Sequence, residues 1–296
     1  MANLKDIRTR IHSVQSTKQV TSAMKMVSAA KLKKAQNEVA KVRPFEAKLS
    51  QIIGSLGSSV ANVELNYPAF RNKTKNGITL VIAIASDKGL AGAFNSNVVK
   101  EVEAMVATSL SAQVAKGKVE VLALGKQVAK GLRSRKLNAP VNEAANFFDN
   151  LSLQTVYEVA DTVRRRFETK ELDKVIVVYN KFVNTAVQEV SQKQLLPLQL
   201  DEADAQSNAV SDFIVEPSKE EVLEDLIPQA VRIRLLALIK ESLASEHGAR
   251  MTAMHKATDN ATTLLAELQL QYNKARQTAI TNELIEIVSG ASALNG

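Results

Sequence analysis

The sequence predicts an α/β domain inserted between the two halves of one long antiparallel coiled coil. Three observations carry that fold class. The first helical pattern, residues 3–58, has no Gly before 54 and Pro only at 44. The last pattern, Ser218 to Leu294, holds one Pro, at 228, and two Gly, at 248 and 290. Between them, short β-branched runs alternate with amphipathic segments, the signature of a small, mostly parallel, Rossmann-like sheet. The domain plan is therefore 1–58 as an N-terminal coiled-coil helix, 59–217 as the inserted domain, and 218–296 as the C-terminal helix.

The N-terminal helix opens on Leu4, Ile7, Ile11 and Val14, and Ala23, Val27 and Ala30 continue its three-four rhythm. Ser22-Ala23 and Ser28-Ala29-Ala30 are short enough for close helix approach. Gly54, Gly57, Pro68 and Gly77 mark the exit. Ile78 to Ala85 is continuously apolar, as for a strand covered on both faces. A loop over 86–95 follows, then a helix from Ser96 to about 115, a strand over 119–124 and a helix over 126–135. A less regular stretch precedes a helix over 153–169 and a strand over 174–179. Residues 185–190 alternate and suit an edge strand.

Residues 199–217 read as an acidic loop, and Ser218-x-x-Glu221 is a capping box for the last helix. Pro228 is expected to kink or interrupt its first turns. Further on, Ala261, Leu265, Leu268, Tyr272, Ala275 and Ala279 alternate steps of four and three, a coiled-coil seam. A helix of about 60 residues is about 90 Å long. It must pack on something equally long or project into a partner.

Composition removes several functions. There is no Cys, hence no disulfide, thiolate nucleophile or Cys metal site. His12, His247 and His255 are the only histidines, and the last two stand eight apart, too far for helical zinc pairing. No apolar run approaches the ~20 residues of a membrane span, and the N-terminus carries no presequence pattern. Charge is segregated. Residues 1–50 hold eleven Lys and Arg against three acidic residues, whereas 201–225 hold nine acidic residues and one Lys. Such segregation suggests two electrostatic partners.

Two rival functions have a local basis. The 86–95 loop lies where α/β sheets bind ligands, but it has neither G-x-x-x-x-G-K-[ST] nor G-x-G-x-x-G, so a packing turn explains it better than nucleotide binding. The basic first helix, with Lys25, Lys31, Lys33 and Lys34, could meet nucleic acid, yet aromatics are only 4% and no recognition motif accompanies it. Glu241, Glu246 and Asp259 read as solvated or interface charges rather than acid–base groups. The end of the chain is unusual. After Arg276 the last twenty residues carry only Glu283 and Glu286 as charges, while Ile280, Leu284, Ile285, Ile287, Val288 and Leu294 surround most of the helix. A helix apolar almost all round must be buried, and a two-helix coil covers one side only, so other chains must supply a sleeve.

Four blocks resemble the gamma subunits of F-type ATP synthases. They are Ile7-Arg-x-Arg-Ile-x-Ser-Val-x-x-Thr-Lys18 with Met24-Lys-Met-Val27, Ser86-Asp-Lys-Gly-Leu-Ala-Gly92, Ser245-Glu-x-x-x-Arg-Met-x-Ala-Met254 with Thr258-Asp-Asn260, and Ile280-Thr-x-Glu-x-x-Glu-x-x-x-Gly-Ala-Ser-Ala293. Many members carry Cys where Ala91 stands. The resemblance implies a rotor shaft without chemistry or cofactor of its own, of the bacterial type. Its coiled coil would stand inside three alpha and three beta subunits. Its inserted domain, with epsilon, would sit on the ring of c subunits at the cytoplasmic face of the inner membrane, touching membrane only through that ring. It further implies beta-subunit contacts at Arg276, Gln277, Met24 and Lys25, and beta or c-ring contacts at Lys31, Lys33 and Lys34.

Overall fold

The structure is a computed structural model. It describes residues 4–59, 67–71, 77–144, 146–149, 151–199 and 215–294, without the side chains of 58–59 and 292–294. Most of the acidic loop, 200–214, lies outside the described residues. The chain forms two compact units, one of residues 29–250 and one of 1–28 with 251–296. Two helices run through both: α1, Leu4–Ser59, and the last helix, Lys219–Leu294.

The larger unit is built on β1, Ile78–Ile84, six of whose seven residues are buried. After it come α2, Phe94–Ala107; α3, Ser111–Val114; β2, Val119–Leu124; α4, Lys126–Ser134; β3, Val141–Glu143; α5, Leu153–Glu168; β4, Leu172–Phe182; β5, Gln188–Leu196; and α6, Lys219–Leu294. The sheet order is β3-β2-β1-β4-β5. β1 pairs in parallel with β2 and β4, β2 pairs in parallel with β3, and β5 is antiparallel to β4.

Strand alternation sorts side chains between two faces. Leu80, Ile82 and Ile84 join Val175, Val177, α5 and the facing parts of α1 and α6 in one apolar cluster. Val81, Ala83, Ile176 and Val178 join α2 and α4 in the other. Burying each Val, Leu, Ile, Met or Phe contributes about 1.5–3 kcal/mol, and such residues make up most of both clusters. Helices cover both faces of β1 and the middle of β4, so Leu80–Ile84 and Val175–Tyr179 are apolar and buried.

Several boundaries differ from the sequence reading. The long helix expected over 96–115 divides, because the chain turns through Thr108–Leu110 before α3. The stretch read as irregular contains β3. The edge strand lies at 188–196 rather than 185–190, because residues 183–187 form the hairpin turn, in which Asn184 Oδ1 accepts from the backbone N–H of Ala186 and Val187. Ser218 caps α6 as expected, its hydroxyl accepting from Glu221 N–H at 3.2 Å. Pro228 sits within α6 without interrupting it. As the tenth residue of the helix it lies past the four N–H groups that lack an intrahelical acceptor, so it removes one bond, to the Glu224 carbonyl, and the helix continues.

Half-buried ion pairs tie the elements of this unit together. Arg232 grips Asp161 with two bonds of 2.8 and 2.7 Å, tying α6 to α5. Arg166 reaches Glu120 of β2 at 2.7 Å. These bonds hold Asp161 and Glu120 below their usual pKa.

In the smaller unit the two helices form a seam. On α1, Ile7, Ile11, Val14, Lys18, Thr21, Lys25 and Ser28 are buried or half-buried, in steps of four and three. On α6 the matching positions are Met254, Thr258, Ala261, Leu265, Leu268, Tyr272 and Ala275. The Thr21 and Thr258 hydroxyls meet at 2.9 Å. Antiparallel seven-residue steps from that pair place Val14 level with Leu265 and Ile7 level with Tyr272. Two sequence assignments change. Ala23, Val27 and Ala30 are exposed, and polar Lys18, Thr21, Lys25 and Ser28 take the seam. Ala279 is exposed too, so the seam ends at Ala275.

Gly125 adopts φ +117°, and a Cβ there would stand 2.4 Å from the Ala85 carbonyl oxygen. Gly125→Ala is expected to lower stability by at least about 2 kcal/mol in urea unfolding. The lowered pKa of Glu120 means its pairing stabilises the fold above the unfolded carboxyl pKa and is lost as pH falls through the folded one. Glu120→Gln should therefore lower stability at pH 7 and flatten its decline in acid below about pH 4.5, read from urea midpoints across pH.

Candidate functional site

Two places can carry function, the crevice at the carboxyl ends of the strands and the free end of α6. The crevice lies where the chain order reverses. From β1 the sheet grows to β2 on one side and to β4 on the other, the position where open α/β sheets bind ligands. Its loop is tightly organised. Ser86 N–H donates to Asn95 Oδ1 at 3.0 Å, the Ser86 hydroxyl lies 2.6 Å from the Lys88 carbonyl, and Asp87 Oδ1 accepts from Lys126 N–H at the start of α4. Leu90 is exposed in the left-handed region at φ 63°.

The crevice itself is filled by protein. Ser245 donates to the Asn180 carbonyl at 2.8 Å. Gly248 faces Phe182, Gln188 and Thr185, all 3.4–3.5 Å from where a Cβ would be. Arg250 donates to the carbonyls of Gly89 and Lys88 and pairs with Glu246 at 2.6 Å. α6 thus occupies the ligand position, and the packing-turn reading of residues 86–95 is the one the geometry supports.

The carboxylates read as solvated or interface charges divide. Glu241 is buried and accepts from Arg43 at 2.5 Å, and Glu246 is held by Arg250. Asp259 is exposed beside His255. Tyr179, near Glu241, has its phenol pushed up to about 12, first by burial and then by that carboxylate. His247 is half-buried, and burial pushes its pKa down. Among the described residues no group of His, Asp and Glu could hold a metal ion.

The free end of α6 has a different character. Beyond Ala275 every described side chain is exposed through Ala291. Ile280, Leu284, Ile285, Ile287 and Val288 are 48–63% exposed. The side chain of Leu294 lies outside the described residues. The cause is the seam register. With Ile7 level with Tyr272, Leu4 lies level with Tyr272–Ala275, and no described residue of α1 reaches further.

Arg276 and Gln277 are exposed at the base of this apolar end, whereas Met24 and Lys25 are half-buried on α1. In the Thr21–Thr258 register Met24 lies level with about residue 255, so some 30 Å of helix separates it from Arg276. The structure does not bring these four residues into one site. Lys31, Lys33 and Lys34 are exposed on α1 in the larger unit. Arg250, Ser245 and Arg43 are the structured residues whose roles the sequence reading missed. Ser245 and Arg250 lie in one of the four matching blocks and in a stretch of α6 buried on nearly every side, but no local pattern shows what they grip.

A coil whose apolar end no described residue covers, and a sheet whose ligand crevice is filled by α6, define a chain built to act within partners. Comparison with known proteins gives the particular family. The profile of the family described as ATP synthase matches residues 3–294. The chain is 47% identical to the ATP synthase gamma chain of Flavobacterium johnsoniae and 43% identical to that of Christiangramia forsetii, covering all of both. Among solved structures, the fold matches a chain in the Tetrahymena thermophila mitochondrial ATP synthase central stalk and c-ring, with TM-score 0.55 at 26% identity over 80% of this chain and 99% of that one. It also matches a chain of the Euglena gracilis mitochondrial ATP synthase, with TM-score 0.65 at 20% identity over 98% of this chain and 94% of that one. The chain belongs to the ATP synthase gamma-chain family.

The exposed end contributes nothing to the fold of the isolated chain. Replacing Leu284 and Ile287 together by Ser should change the unfolding free energy by no more than about 0.5 kcal/mol per residue. It should also reduce the binding of a hydrophobic dye, measured by fluorescence on the same samples.

Proposed function

We propose that this chain is the central rotor shaft of an F-type ATP synthase. Its coil turns inside a ring of three alpha and three beta subunits, and its sheet unit, with epsilon, rides on the c ring. Ion flow turns the ring and the shaft, and the asymmetric shaft drives the beta sites in turn through different nucleotide affinities. The observation that carries this reading is the apolar end of α6, which no described residue covers, in a protein matching gamma chains over its full length.

Apolar contact suits a bearing because it is non-directional and leaves few hydrogen bonds to break as one surface turns past another. Polar contacts then mark the angles at which rotation pauses. Arg276, with Gln277, is placed at the base of the apolar end and can present its planar fork to carboxylates of beta. Met24 and Lys25 form a second contact with beta, further along the coil. Lys31, Lys33 and Lys34 face acidic groups of beta or polar loops of the c ring. Ile280, Leu284, Ile285, Ile287, Val288 and Leu294 fill the sleeve. None of the described helices is long and apolar enough to cross a membrane. The chain meets the membrane through the c ring, on the cytoplasmic face.

Mixing purified alpha and beta subunits with this chain tests the proposal. A co-eluting complex with greatly raised ATP hydrolysis is expected, and a chain that elutes alone without effect would contradict it. Within that complex Arg276→Ala should slow coupled ATP synthesis severalfold while leaving assembly intact, as judged by gel filtration and synthesis rates in membrane vesicles. Truncation after Gly290 should leave assembly intact, because the sleeve holds the shaft along its length.

A further inference from the structure

Arg250 is the last residue of the larger unit before α6 continues into the smaller one. Its side chain is only 10% exposed. The guanidinium spreads its donors over three acceptors on two elements. One Nη donates to the Gly89 carbonyl, and the other to the Lys88 carbonyl at 3.4 Å and to Glu246 Oε1, one turn back on α6, at 2.6 Å. The β1 loop it grips contains Leu90 at φ 63°, a conformation that costs a branched residue about 1 kcal/mol and persists only when its surroundings impose it. On the other side of the crevice, Ser245 is bonded to β4 and Gly248 lies against the β4–β5 hairpin. α6 is therefore keyed to both strands of the switch point within its last two turns before residue 251.

The rest of α6 in this unit is held by ion pairs of Arg232, Arg234, Lys240 and Glu241, whose cationic side chains are all more exposed than that of Arg250, and by apolar packing through Leu223, Ile227, Val231, Leu235 and Ile239. Apolar contact resists separation but is non-directional, and it opposes rotation of a helix about its own axis weakly. Hydrogen bonds are directional, and a buried guanidinium fixed at three points resists that rotation most where the helix leaves the sheet. Building on the rotor reading, we propose that Arg250 is a positioning residue for torque transfer: it locks α6 to the β1 loop, so that the sheet unit and the shaft turn together. It touches no nucleotide and acts through the helix.

The test uses the complete membrane-bound complex carrying Arg250→Ala or Arg250→Lys. The readouts are ATP hydrolysis, ATP-driven ion pumping in the same vesicles, and hydrogen exchange of residues 86–92. Loss of the clamp should speed exchange in that loop and lower pumping severalfold relative to hydrolysis. Lys keeps the charge and the pairing with Glu246 but cannot span both carbonyls, so Arg250→Lys should restore assembly fully and the pumping ratio only in part. If Arg250→Ala does not assemble, the Lys variant alone decides, and the same fall in ratio is expected. An unchanged ratio in an assembled variant whose loop exchanges faster would overturn the proposal, as would a proportionate fall of pumping and hydrolysis, which is the mark of a merely structural defect. A wild-type complex that hydrolyses ATP without pumping would instead dispose of the rotor reading, independently of Arg250.

Discussion

The continuity of α6 is the constraint on which the structure depends. One uninterrupted hydrogen-bonded helix from Lys219 to Leu294 passes through three environments. From Ala230 to Arg250 it is buried almost all round against the sheet and α1, its middle presents a seam to α1, and its last part is apolar and exposed. A break anywhere would leave these regions mechanically independent. Pro228, its one proline, stands in the third turn and costs it one intrahelical hydrogen bond without ending it. Gly248, which lowers helix propensity by about 1 kcal/mol, lies against the β4–β5 hairpin, where a Cβ would make ordinary van der Waals contacts at 3.4–3.5 Å.

The two units answer different physical demands. In the larger one, paired charges add direction to an apolar core. Arg232 with Asp161, Arg166 with Glu120 and Arg43 with Glu241 each join elements distant in sequence. Removing one partner of such a pair strands the other charge, so these contacts fix position more than they add stability. In the smaller unit the seam turns polar toward Ser28. Lys18, Thr21, Lys25 and Ser28 replace the aliphatic residues that a coiled coil ordinarily places there, and Val20, Ala23 and Val27 face outward. A seam of hydroxyls and lysine stems specifies register through contacts such as Thr21–Thr258 while giving less cohesion than leucine packing.

Much of this was legible in the sequence. The strands at 78–84 and 119–124 were readable because apolar, β-branched runs of that length have few other solutions. The uncovered end of α6 was legible because its residues are apolar on most of the helix circumference. What escaped has physical causes. β3 is three residues long and carries no periodic signal. β5 is polar on both faces, Gln-Glu-Val-Ser-Gln-Lys-Gln, since an edge strand buries little. The rhythm through Ala23, Val27 and Ala30 has the right period and the wrong phase, and periodicity does not say which of two stripes faces the partner helix. The grip of Arg250 on the Lys88 and Gly89 carbonyls joins residues about 160 positions apart, beyond the reach of any local pattern.

The most direct test of the account is single-molecule observation of rotation. Because the chain has no native Cys, Lys130→Cys on the exposed side of α4 provides one attachment point for a rod, with the alpha and beta subunits fixed to glass. The account predicts unidirectional rotation on adding ATP, in three equal steps per turn. A complex that hydrolyses ATP while the rod only fluctuates would contradict it.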